Sequence, residues 1–168
     1  GLPLKGQVKG IIHTVNDSLA DVVQEDSGKI LYGQSFITDK LFDLSFKITP
    51  YSFFQTNTIG AMQLYSVVKE FVGTDKNKVL YDLYCGTGTI AQVLSPCADK
   101  VVGIELVEEA VVAARENAKL NNIENCEFLA GDVLELVDTL TEKPDVIILD
   151  PPRDGIHPKA IWKILAFE

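Results

Sequence analysis

The stretch VLYDLYCGTGTIAQVL, residues 79–94, passes from a continuous apolar run through two closely spaced glycines into residues of helical spacing. A strand, a tight glycine turn and a helix in succession predict one βα unit of a parallel sheet. The apolar run is continuous rather than alternating, which predicts a strand buried on both faces. Gly86 and Gly88 let the backbone turn sharply and come close to a ligand, because a side chain at either would block the approach. In open α/β sheets a ligand sits beyond the carboxyl ends of the strands, next to such a first βα turn.

Outward from this stretch the alternation continues. KVVGIEL (100–106) is followed by EEAVVAARENAKLNN (108–122), CEFLAG (126–131) by DVLELVDTL (132–140), and DVIILD (145–150) by PKAIWKIL (158–165). Four strand–helix units in a row predict an α/β fold: a Rossmann-like parallel sheet with helices on both faces. Upstream, NTIGAMQLYSVVKEFVG (57–73) has helical spacing at Ile59, Met62, Leu64, Tyr65, Val68 and Phe71, with Asn57 suited to an N-cap and Gly73 to a stop. Residues 1–48 carry short runs, QVKGIIHTV, LADVVQE, KILYGQSFI and LSFKI, separated by turn signals at Asn16-Asp17 and Ser27-Gly28. They predict a small antiparallel β region preceding the sheet. The sequence stops inside a helical pattern, so the expectation is a fragment of a larger protein, truncated after the fourth parallel strand.

At 168 residues and 46% hydrophobic content the chain has enough apolar material for one core. Its net charge of −9, from 24 acidic and 15 basic residues, repels phosphate backbones, so a nucleic-acid partner must be held locally or by another part of a protein. No stretch approaches the roughly 18 to 20 apolar residues of a membrane span. The three cysteines, Cys85, Cys97 and Cys126, form no CxxC pair and no metal-ligand spacing, and read as reduced thiols of a cytoplasmic protein. No metal is expected.

The glycine loop fits two kinds of nucleotide. GTGTIA (86–91) satisfies GxGxxA, the spacing of a dinucleotide loop, but that match alone is weak. Glu105 closes the second strand, where a carboxylate accepts hydrogen bonds from both hydroxyls of a ribose. Asp132, after the third strand, suits an adenine amine and equally suits a helix N-cap. Asp150 ends the fourth strand and opens DPPR (150–153), in which two prolines stiffen the wall of a pocket. A dinucleotide enzyme has no special need of that tetrapeptide. A methyl donor, S-adenosyl-L-methionine, is therefore favoured over NAD. Enzymes that methylate exocyclic amines of bases usually carry an aromatic residue after the prolines, whereas Arg153 stands here, offering donors to phosphates or carbonyls, or an ion pair with Asp150.

The ordered set FFQTN (53–57), DLYCGTGTI (82–90), GIELVEEAVVAARENAKLNN (103–122), FLAGDV (128–133) and DVIILDPPRDG (145–155) resembles the RNA uracil-5-methyltransferases, which make 5-methyluridine in transfer or ribosomal RNA. The resemblance covers residue 36 to the end. Tyr84 stands where the common methyltransferase GxGxG pattern has its first glycine. The resemblance implies that Gln55, Tyr84, Thr89, Glu105, Asp132 and Asp150 line the S-adenosylmethionine site and that Arg153 faces the substrate. It also implies that residues 1–48 end a β-rich central domain and that 49–168 begin the methyltransferase domain. It further implies an RNA partner, rRNA or tRNA, no DNA and no membrane. Family members add a cysteine thiolate to uracil C6, so that C5 becomes the nucleophile that takes the methyl. The resemblance puts that cysteine and the general base beyond Glu168, so no catalytic residue is expected in this chain. A methyltransferase acting on an amine or small molecule, and a non-catalytic nucleoside-binding module or oxidoreductase half, are the alternatives.

Overall fold

The computed structural model describes residues 6–15, 27–50, 52–153 and 155–167. Two antiparallel pairs come first. β1 (Gly10–Val15) pairs with β2 (Ser27–Gly33), and β3 (Ile37–Leu41) with β4 (Leu44–Ile48). The expected turn at Ser27-Gly28 is instead the start of β2, paired with Val15 and Thr14. The expected run LADVVQE and the turn signal at Asn16-Asp17 lie outside the described residues. KILYGQSFI is divided between β2 and β3, because Gly33, at φ +66°, takes the backbone out of extended geometry.

α1 (Thr58–Val72) begins where the Asn57 side chain accepts a hydrogen bond from Gly60 N at 3.0 Å, and ends at Gly73, φ +79°. Its buried residues are Ala61, Tyr65 and Val72, while Ile59, Leu64 and Phe71 face solvent. The inward face is thus turned from the expected one. The small Ala61 lies with Tyr65, Leu41 and Phe46 in the core beneath the β3–β4 pair.

β5 (Val79–Leu83), β6 (Lys100–Glu105), β7 (Cys126–Ala130) and β8 (Val146–Leu149) form one parallel sheet in the order β7-β6-β5-β8. The chain winds outward from β5 to β7 and then returns to β5's other side. This reversal opens a crevice at the carboxyl end of β5. α2 (Thr89–Leu94) and α3 (Glu108–Leu120) share one core with the end of α1, around Leu80, Val101, Val111, Ala114 and Phe128. α4 (Val133–Leu136) and α5 (Pro158–Leu165) cover the opposite face, around Tyr81, Leu83, Val102 and Ile104. DVLELVDTL forms a single α turn followed by a 3-10 turn at Val137–Thr139, shorter than its spacing predicts. Among the described residues no helix is long and apolar enough to cross a membrane.

Asn117 of α3 and Asn121, one turn on at its C-cap, fasten the β3–β4 pair to this sheet. Their amide oxygens accept from Lys47 N and Ser45 N, each at 2.8 Å, and their amide nitrogens donate back to Lys47 O and Ser45 O. The two side chains pair with β4 as a neighbouring strand would.

Candidate functional site

The glycine loop leaves β5 through residues that only a left-handed backbone connects. Tyr84 has φ +67°, Gly86 +53° and Gly88 +70°. A tyrosine in this conformation costs about 1 kcal/mol or more relative to glycine. The sequence departure from a glycine at residue 84 therefore appears as local strain, at a half-buried side chain packed on the α4 and α5 side. The two glycines serve different needs. A Cβ on Gly86 meets nothing within 4 Å, so this glycine leaves open space beside the loop. A Cβ on Gly88 lies 2.5 Å from Phe128 Cε1 and 3.0 Å from Ala114 Cβ. Gly88 is thus required by packing against β7 and α3 rather than by the approach of a ligand.

Glu105, at the end of β6, is held in place by the loop itself. One carboxylate oxygen accepts from Gly86 N and the other from Val107 N, both at 3.0 Å. Each oxygen keeps acceptor capacity for a further donor. Gly131 N donates to Glu105 O at 2.9 Å, which brings Asp132 beside it. Asp132 is the N-cap of α4, accepting from Leu134 N at 2.8 Å, so the cap role is realised and the exposed carboxylate keeps its second oxygen. Asp150 follows β8 directly, exposed.

The segment before α1 is tied to the same loop. Thr87 Oγ1 donates to Phe53 O at 3.3 Å and lies 3.5 Å from Thr89 Oγ1. Phe54 packs its ring on Phe46, centroids 5.8 Å apart, leaving half-buried Gln55 two residues beyond the tether. Gln55, Tyr84, Thr89, Glu105, Asp132 and Asp150 thus stand on segments that converge at the carboxyl end of the sheet. Arg153 lies in the turn closed by Gly155 N on Pro152 O, exposed, and among the described residues it forms no ion pair with Asp150.

Two further residues, neither expected at the site from the sequence, lie close to it. Asp82 in β5 has no exposed surface, and its carboxyl is raised to about 7 by burial. The Ala91 N–H opposes that rise, and Asp150 and Glu105 add to it. Tyr65 of α1 is buried and pushed up to about 12, by burial first and then by Asp150 and Asp82. The cysteines are the reverse of activated thiols. Burial raises Cys85, with Asp82 and Glu105 adding to it, and burial raises Cys126 to about 12. Cys97 follows the end of α2 ahead of β6, at the amino end of the sheet and so opposite the loop. A concave space of about 320 Å³ between α3 and β7, lined by Arg115, Lys119, Asn122 and Phe128, has no loop residue in its lining. Its guanidinium is engaged, Arg115 Nε donating to Phe128 O at 3.2 Å.

A family model described as a methyltransferase domain matches residues 74–161. A protein of Clostridium tetani named an uncharacterized RNA methyltransferase is 60% identical over 164 residues, 98% of this chain and 36% of its own length. One of the same description from Caldanaerobacter subterraneus subsp. tengcongensis is 52% identical over 159 residues, 95% of this chain and 35% of its own. The chain thus spans little more than a third of the curated relatives it matches. Among solved structures, the Pyrococcus abyssi tRNA (uracil-54, C5)-methyltransferase in complex with S-adenosyl-L-homocysteine superposes with a TM-score of 0.76 at 32% identity, over 95% of this chain and 38% of that one. With the parallel sheet, its reversal at β5 and the glycine loop in place, the match over residues 74–161 shows that the chain belongs to the methyltransferase-domain family.

Proposed function

We propose that this chain is the S-adenosylmethionine-binding portion of an RNA methyltransferase that methylates C5 of a uridine in transfer or ribosomal RNA. The observation that carries the reading is the convergence, at the carboxyl end of the sheet, of the glycine loop, Glu105 on its strand end and the Asp150-Pro-Pro segment. Glu105 would hold the ribose, Asp132 the adenine amine, and Gln55, Tyr84, Thr89 and Asp150 the methionine end. Arg153 would face the RNA. In the solved neighbour, this part of the fold belongs to a tRNA uracil-C5 methyltransferase that holds S-adenosylhomocysteine. In this reading residues 1–48 end a β-rich domain whose last strands, β3 and β4, dock on α1 and α3, and residues 49–168 begin the methyltransferase domain.

The group that S-adenosylmethionine supplies is an electrophilic methyl on a sulfonium. The chain's own contribution is to bind and orient that donor. Uracil C5 is a poor nucleophile and needs a thiolate added at C6. Cys85 is buried and Cys126 half-buried, both with pKa values raised by burial, and Cys97 lies at the amino end of the sheet, so in this reading the thiolate comes from outside these residues. A protein carrying this chain together with the segments that complete its relatives is expected to place labelled methyl on uridine C5 of transfer or ribosomal RNA. The chain alone is expected to place none. Label on an exocyclic amine, or 5-methyluridine made by the chain alone, contradicts the reading.

A further inference from the structure

Asp82 is the carboxylate that the site as described does not use. It interrupts the apolar strand VLYDL and has no exposed surface. Its Oδ2 accepts from Ala91 N, in the first turn of α2, at 2.9 Å. Its Oδ1 is buried and has no hydrogen-bond partner among the described residues. An ionised carboxylate left in that state is expensive.

The register shows where this group sits. Asp82 lies opposite Gly103 of β6 and Ile148 of β8. Glu105 and Asp150 follow those two positions by two residues, so by strand alternation all three carboxylates belong to one face of the sheet. Asp82 is the innermost of the three, behind the mouth of the crevice. The titratable groups that reach it are Tyr65 from α1, Cys85 from the loop, Glu105 after β6, Cys126 from β7 and Asp150 after β8. α2 offers only the Ala91 N–H. None of these groups is a cation. Burial holds the Asp82 carboxyl at about 7, so near neutral pH it is poised between its two forms. A brace between β5 and α2 uses Oδ2 alone and leaves the buried Oδ1, on the face that carries Glu105 and Asp150, without a partner.

We infer that Asp82 is a proton-linked counter-charge: a cationic ligand in the crevice drives the Asp82 proton into solvent, and departure of the ligand, or loss of its positive charge, draws the proton back. The inference rests on the reading of the crevice as an S-adenosylmethionine site. It identifies Asp82 as a positioning residue that acts through the field, without contact to the reacting atoms.

S-adenosylmethionine and S-adenosylhomocysteine are the probes, since the first carries a sulfonium where the second has a neutral thioether. Calorimetry of the 168-residue chain at pH 7, in buffers of different ionisation enthalpy, counts the protons released on binding each. The sulfonium ligand is expected to release about half a proton more, so its affinity relative to the thioether rises roughly tenfold from pH 6 to pH 8. In Asp82→Asn that rise is expected to vanish while both ligands still bind. Carboxyl NMR of the ligand-free chain is expected to show Asp82 titrating near neutrality. Equal proton release for the two ligands, an unchanged pH profile in Asp82→Asn, or an Asp82 that titrates below pH 5 overturns the inference and leaves the reading of the site standing. Failure of both ligands to bind overturns the reading, and the inference with it.

Discussion

Replacing Gly88 with alanine is expected to destabilise the chain by about 2–5 kcal/mol, the sum of a left-handed backbone penalty and overpacking of a filled core. The added Cβ would stand 2.5 Å and 2.7 Å from two Phe128 ring atoms and 3.0 Å from Ala114 Cβ, at a φ of +70°. Phe128 is 3% exposed and Ala114 0%, so neither has room to give way. The melting temperature is expected to fall by on the order of 10 °C. Gly86→Ala is the control, since its φ of +53° carries the same backbone cost of about 1–2 kcal/mol but nothing lies within 4 Å of the new Cβ. Urea unfolding of the two variants decides the matter. Equal losses would contradict the packing role of Gly88.

Asp82→Asn is expected to stabilise the chain as pH rises. The folded carboxyl stands at about 7 against an ordinary value of 3.8, so the folded state holds the proton more tightly than the unfolded state. Between those two values stability falls with rising pH, because the unfolded chain has already released a proton that the folded chain still binds. Three pH units correspond to about 4 kcal/mol at and above neutral pH. Asparagine keeps an oxygen for Ala91 N and removes the charge. The advantage of the variant over the wild type is therefore expected to reach a few kcal/mol at pH 8 and to shrink toward pH 4. Denaturant unfolding of both proteins across that range measures it. A variant less stable than the wild type at pH 8 would contradict a buried, uncompensated charge at Asp82. If the advantage is found together with the loss of proton linkage, the strand carries its buried charge for function at the expense of stability.

The parallel sheet was legible because β5, β6 and β8 are runs of apolar rather than alternating residues, although β8, an edge strand, is only half-buried. The inward face of α1 was not. Apolar residues lie on two sides of that helix, and only the packing of Ala61 and Tyr65 with Leu41 and Phe46 settles which side turns in. Glu105 and Asp150 were readable from their places at strand ends. Asp82 carried a signal that passed unread: a lone carboxylate in a strand expected to be buried. The i, i+4 pair Asn117 and Asn121 was visible on α3, but the β4 backbone it holds lies 70 and 76 residues away in sequence. Gly88 illustrates the same limit, since its need for glycine is set by Phe128, a residue forty positions further along.

The most direct test of the proposed site is a calorimetric comparison of S-adenosylhomocysteine with NAD on this chain. The glycine loop alone satisfies the spacing of both kinds of site. S-adenosylhomocysteine is expected to bind more tightly, and Glu105→Gln to weaken it by roughly a hundredfold, about 2.7 kcal/mol, as when a charged acceptor of two hydroxyl hydrogen bonds is lost. Tighter binding of NAD, or S-adenosylhomocysteine affinity unchanged in Glu105→Gln, would contradict the proposed site.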